Sequence, residues 1–200
     1  MSSSLRPPRA DAARNRELLL AAAEEEFAER GAAASVADIA RRAGVAKGTV
    51  FRHFATKEDL IASIVVGHLA TLTAVARRLA DSTDPGAALL EFLTVAADQH
   101  QQHDLTFLQT ASADDSRVSA VGDEVYAGVE LLVDRARDAG AIRSDVTGAD
   151  VFLLMCAPVH VAGNLADPAP DLWRRYLAII FDGLRPDGAN PLPQPAPTLP

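Results

Sequence analysis

Apolar residues along the first sixty positions recur at helical spacing and are cut into short runs by glycine. Leu19, Ala22, Ala23 and Phe27 share one face of a helix predicted over 11–30, and Gly31 suits its C-terminal cap. Ser35 can cap a helix over 36–43 through its hydroxyl, with Asp38 three residues on resembling a capping box. Gly44 ends that helix, and another short one over 46–53 follows after a tight turn. Thr56 then caps a long helix whose first turn carries Glu58 and Asp59, as the positive end of the helix dipole favours.

Longer amphipathic runs follow. Pro85 starts a helix over 85–102, a short one covers 104–112, and another runs 117–139 and stops at Gly140. Helices over 148–165 and 170–184 complete the pattern, with Pro158 expected to kink or interrupt the first of them. Residues 1–10, with Arg6, Pro7, Pro8 and Arg9, read as a flexible arm, and the proline-rich 186–200 reads as a disordered tail. No strand pattern or internal repeat is evident. The expectation is an all-α protein of about nine helices, divided into a helix-turn-helix head at 11–60 and a larger helical domain at 61–185.

Composition sharpens this picture. The chain has 200 residues, 48% of them hydrophobic, which is enough to bury a core. Its single cysteine, Cys156, cannot form an internal disulfide, and an intracellular, cytoplasmic setting is expected. The N-terminus lacks the apolar core of a signal peptide, and the longest unbroken apolar run, 151–159, is too short to span a bilayer. The net charge of −8 hides an asymmetry. Residues 1–57 hold ten Lys/Arg against seven Asp/Glu, whereas 58–200 hold nine against twenty. A basic head on an acidic body can bind phosphate while the remainder limits indiscriminate binding.

The chemistry of the head follows from its spacing. Two short helices joined by a glycine turn make a helix-turn-helix, locked by Ile39, Ala40, Val45 and Val50. The N-terminal end of the second helix is then free to enter a major groove. Lys47 and Arg52 can reach phosphate or guanine, and Thr49 can bond a base or touch a thymine methyl. His53, Lys57 and the free amides at the next helix start suit phosphate. Ser35, Gly48 and Phe51 complete the expected DNA-binding set. A helical hairpin with a merely solvated charged face has the same spacing.

The stretch "SVADIARRAGVAKGTVFRHFATKEDLIASIV", residues 35–65, resembles the DNA-binding region of the TetR (tetracycline-repressor-like) family. The similarity runs from Leu18 to Leu60. It implies an all-helical homodimer that binds double-stranded operator DNA and responds to a small molecule. Phe51 departs from the family's frequent tyrosine, so the hydroxyl usually offered to phosphate is missing. That leaves Phe51 as packing or as an apolar base contact.

Beyond residue 70 the resemblance is one of length and helical layout, and no effector is implied. The apolar residues of 148–165 and of the last helix point to burial on more than one side. Leu172, Trp173, Tyr176, Leu177, Ile180 and Phe181 are the expected dimer surface, as part of a four-helix contact. Gln99, His100, His103 and His160 are candidate polar groups of an effector pocket, with Phe92, Phe107 and Met155 as apolar walls. His100 and His103 share a helix face beside Asp104, but no further Cys/His cluster completes a metal site. Neither metal nor cofactor is called for.

The sequence thus reads as a ligand-responsive, DNA-binding transcriptional regulator of the repressor type and not as an enzyme. A ligand-independent architectural DNA-binding protein, or a helical enzyme using the pocket histidines, are the alternatives.

Overall fold

A computed structural model describes residues 8–102, 106–165, 167 and 169–198. All of the secondary structure among them is helical: α1 Pro8–Arg30, α2 Val36–Arg42, α3 Lys47–His53, α4 Lys57–Leu79, α5 Pro85–Gln102, α6 Thr106–Ala111, α7 Ser116–Asp138, α8 Gly148–Leu154, α9 Ala157–Gly163 and α10 Leu172–Gly183. A 3₁₀ turn, Gly31–Ala33, follows α1. The nine predicted helices are all present, with the eighth divided into α8 and α9. Pro158 explains the division. It lacks an N–H and its ring clashes with the carbonyl four residues earlier, which belongs to Leu154, the last residue of α8. Proline is tolerated in a first helical turn, and both Pro158 in α9 and Pro8 in α1 stand there.

Local capping sets the other boundaries. The Asp38 N–H donates to Ser35 Oγ at 3.2 Å, and the Ser35 hydroxyl donates to the Asp38 carboxylate at 2.5 Å. Gly44 takes a φ of +68°, which a side chain would strain, and so turns the chain between α2 and α3. At α4 the Asp59 N–H donates to Thr56 Oγ1 at 3.0 Å, while Asp59 accepts from the Ala55 N–H at 3.0 Å. Thr147 and Asp150 form a full capping box on α8.

The contacts divide the chain into two compact units. The head unit comprises Met1–Gly67 with His103–Val118, and its core includes Leu19, Phe27, Ile39, Val50, Phe54, Leu60 and Ile64. Phe107 of α6 belongs to this unit, its ring centroid 6.1 Å from that of Phe27. The body unit comprises His68–Gln102 with Ser119–Pro200. It buries Leu89, Phe92, Val129, Leu132 and Trp173 in one cluster. Gly128 of α7 is needed there, because a Cβ at that position would stand 2.7 Å from the Ala76 Cβ of α4.

Two features of the body were not legible beforehand. α4 is long and apolar enough to cross a membrane by composition, but half of its most apolar window is buried inside the protein, as befits a core helix. The Arg143 N–H donates to the Leu184 carbonyl at 2.8 Å, and its guanidinium donates to the Asn190 carbonyl. The start of the proline-rich segment, expected as a disordered tail, is thereby tethered to the connection between α7 and α8.

Candidate nucleic-acid interface

Two buried side chains set the rotation of α3. Val50 and Phe54 are both enclosed in the head core. At about 100° per residue, Arg52 then lies opposite them, with Gly48 and Thr49 to either side of it and Phe51 and Lys47 on one flank. Lys47, Gly48, Phe51 and Arg52 are exposed, and Thr49 and His53 are half-buried. A Cβ at Gly48 would meet nothing within 4 Å, so the backbone there is open to close approach. The Lys47 ammonium lies 5.8 Å from the Phe51 ring centroid, one helical turn away.

Arg16, Arg30, Arg41 and Arg42 of the head are occupied. Arg42 donates to Glu26 at 2.9 Å, to Glu25 at 2.9 Å and to Glu29 at 2.6 Å, fastening α2 to α1. These carboxylates hold the Arg42 guanidinium well above its ordinary pKa. Arg30 pairs with Glu26 and Asp38 at 3.4 Å each, and Arg41 pairs with Asp38 at 2.6 Å. Hydrogen bonds from Ser35 and Arg41 hold the Asp38 carboxyl below the usual range. Arg16 lies over the Phe54 ring at 4.8 Å and donates to Ser63 at 3.2 Å. No ion pair engages Lys47 or Arg52 among the described residues. Their charge is available to phosphate or to a base edge.

Two of the expected DNA-binding side chains have partners within the head. Ser35 donates its hydroxyl proton to Asp38, so its side chain serves as the α2 cap. Lys57 donates to the Ala32 carbonyl at 2.8 Å and lies 5.5 Å from the Phe27 ring, so it braces the turn after α1. Sequence reasoning missed the Arg42 clamp. Its signal was the cluster Glu24–Glu26 with Glu29 inside an otherwise basic head, since so many carboxylates need a cation.

Arg117, at the start of α7, also acts within the head. It donates to Asp59 at 2.8 Å and to Asp115 at 2.8 Å. Its hydrogen bonds lower the Asp115 carboxyl to about 2.

Of the expected pocket residues, Phe92 is wholly buried in the body core, Met155 packs against that core, and Phe107 belongs to the head. His103 lies outside the described residues. Gln99 Nε2 stands 2.7 Å from His68 Nδ1 and donates to the His68 carbonyl at 3.2 Å. Among the described residues its Oε1 is buried without a hydrogen-bond partner. His100 and His160 stack with ring centroids 5.0 Å apart. His160 Nδ1 lies 3.1 Å from the Cys156 carbonyl, not its thiol, and burial pushes that thiol's pKa up. Two clefts among the described residues of the body are lined by other side chains. One of about 240 Å³ runs between α5 and α10 beside Thr94, Trp173 and Arg174, and a second of about 490 Å³ lies by Gly86, Ala141 and Arg185.

The residues of the expected dimer surface differ in burial within one chain. Trp173, Leu177 and Phe181 point into the body's own core, and Leu172, Tyr176 and Ile180 are only partly covered by it. The exposed large apolar residues from α8 to α10 are others: Ile179 at 56% exposure, Leu153 at 57%, and Leu154, Val161 and Leu165. They belong to α8, α9, the turn after it and α10, and α9 packs on α10. A 3.6-residue period marks an apolar helix without telling which of two apolar sides its own chain covers.

The family model for bacterial regulatory proteins of the tetR family matches residues 19–64, and that for the C-terminal domain of SbtR-like transcriptional regulators matches 84–186. The chain is 30% identical over 185 residues to the HTH-type transcriptional repressor KstR2 of Mycobacterium tuberculosis H37Rv, covering 85% of this chain and 92% of that one. A TetR transcription regulatory protein from Mycobacterium vanbaalenii superposes with a TM-score of 0.63 at 31% identity, over 90% of this chain and 99% of that one. The structure of the ketosteroid transcriptional regulator KstR2 of Mycobacterium tuberculosis gives 0.66 at 26% identity, over 85% and 94%.

Proposed function

The chain belongs to the TetR family of bacterial regulatory proteins, and from that premise we propose how this member reads its operator and is released from it. It is a ligand-responsive DNA-binding repressor. As a cytoplasmic homodimer it sets two α3 helices into successive major grooves of a near-palindromic site. Arg52 and Thr49 contact base edges, Lys47 and His53 contact phosphate, and the amides at the start of α4 add a further phosphate contact. The observation that carries this reading is the α3 face, where Lys47 and Arg52 stand exposed without ion pairs among the described residues while Arg30, Arg41 and Arg42 are engaged by carboxylates.

The second copy covers the outward residues of α8, α9 and α10. Ile179, Leu153 and Val161 are apolar side chains that one protomer leaves in water, and a partner that covers α8, α9 and α10 removes them from it.

The effector site lies in the body near His68, Gln99, His100 and His160. The unpartnered Gln99 Oε1 asks for a donor, such as a hydroxyl or amide N–H. An apolar molecule with one or two polar groups fits that demand, and a ketosteroid, the class for which the regulator KstR2 is named, is of that broad kind. Such a ligand shifts the equilibrium toward a state whose heads no longer match the operator, which requires a coupling of about 1–3 kcal/mol. His160 is assigned no catalytic role, because it faces a backbone carbonyl.

Selection of bound duplexes from a random DNA pool tests the reading. A recurrent near-palindrome, found again upstream of a gene in the source genome, is expected. Binding that is indifferent to sequence would instead mark an architectural protein. A thermal-shift screen of apolar metabolites, followed by operator release, then tests the effector site.

A further inference from the structure

We infer that Phe51 is a specificity-determining residue that reads the 5-methyl group of a thymine beside the base pair contacted by Arg52. The inference rests on the operator reading above and deepens it. Phe51 is 46% exposed, and Leu18 is the only other large hydrophobic so exposed among the described residues of the head unit. Its helix is already anchored by Val50 and Phe54, so the head does not need the Phe51 ring for its core.

On the helix that faces the groove, a large apolar ring beside cations can meet an apolar group on a base edge. The major-groove edges of the bases are hydrogen-bond donors and acceptors with one exception, the thymine methyl. A phenyl ring can make no hydrogen bond to phosphate, so a backbone-positioning role has no chemistry here. Two neighbours favour the contact. Gly48 stands one turn earlier with open space where a Cβ would be, which lets this side of α3 come close to the base edges. Lys47 places its ammonium near the ring at 5.8 Å, so the charge that binds phosphate also holds the ring in place.

The experiment uses the full chain and the duplexes it enriches from a random pool. Each thymine of the enriched site is replaced in turn by deoxyuridine, which removes the methyl and keeps the pairing. Wild-type binding is expected to weaken by about three- to fivefold per half-site at one symmetric pair of positions, the size expected for one methyl lost from an apolar contact. Phe51→Ala is expected to bind the thymine duplex more weakly and to be indifferent to uracil at that pair. Phe51→Leu, which keeps an apolar group, is expected to retain part of the dependence. Wild-type binding that is equal for thymine and uracil at every position overturns the assignment and leaves the operator reading standing. An unchanged uracil penalty in Phe51→Ala overturns it as well. If no sequence is enriched, both readings fall. Should Phe51→Ala fold poorly, the wild-type uracil scan decides the question without it.

Discussion

The Arg117 guanidinium donates to the Asp59 carboxylate at 2.8 Å, joining the first turn of α7 to the first turn of α4 across 58 residues of chain. Asp59 is also the residue that accepts from the Ala55 N–H between α3 and α4. Arg117 therefore steadies the junction from which the recognition helix projects. Asp59→Ala is expected to cost about 1 kcal/mol through loss of the cap. Arg117→Ala should cost less, within about 1 kcal/mol, because the pair is partly solvated. Urea denaturation of both single variants and the double variant measures the coupling. Strict additivity would show that the bridge contributes nothing.

Asp115 gives this cluster a pH dependence. Arg117 holds its carboxyl at about 2, below its value in an unfolded chain. A depressed acid stabilises the fold fully above its unfolded pKa, near 4, and that contribution fades as pH falls toward 2. In Arg117→Ala the Asp115 carboxyl should titrate near 4. Carboxyl chemical shifts across an acid titration follow it, and an unchanged midpoint would contradict the assignment.

Arg52→Ala and Thr49→Ala should each weaken operator binding by about 1–3 kcal/mol without altering stability. Lys47→Ala should instead reduce the slope of log affinity against log salt by about one unit. Lys57 is expected to behave differently from Lys47, because its ammonium is held by Ala32. Its alanine variant should lower the melting temperature and barely change the salt slope. Equal slopes for the two lysine variants would refute this division.

Positions on opposite sides of α10 separate folding from association. Ile179→Glu places a charge on the outward face and should yield folded monomers that lose affinity for a palindrome. Leu177→Glu places a charge in the body core and should unfold the protein, since an unpaired buried charge is strongly unfavourable. Sedimentation together with circular dichroism distinguishes the two results. A dimeric Ile179→Glu would place the interface elsewhere.

Arg42→Ala should loosen α2 from α1, because Glu25, Glu26 and Glu29 lose their shared cation. Glu26 is almost wholly buried and keeps only Arg30. Faster amide hydrogen exchange in α2 than in α5 is the expected signature. Uniform exchange rates across both helices would mean the clamp is ornamental.

Several elements were legible from residues within a turn or two of one another. Ser35 with Asp38, Gly44, and Thr56 with Asp59 announce α2, the turn and α4, because capping and positive φ are satisfied locally. Pro85 and the following apolar period place α5 at its observed limits. Val50 opposite Arg52 is fixed by helical geometry, so the groove-facing side of α3 follows from spacing. The remainder depended on partners distant in sequence. Phe107 joins the head because its ring meets Phe27, eighty residues earlier, and Lys57 is claimed by Ala32. Trp173, Leu177 and Phe181 face inward because α5 and α9 cover that side of α10, leaving Ile179 to solvent. Helical periodicity records how apolar a face is, whereas the choice between two apolar faces is made by whichever helix packs against it.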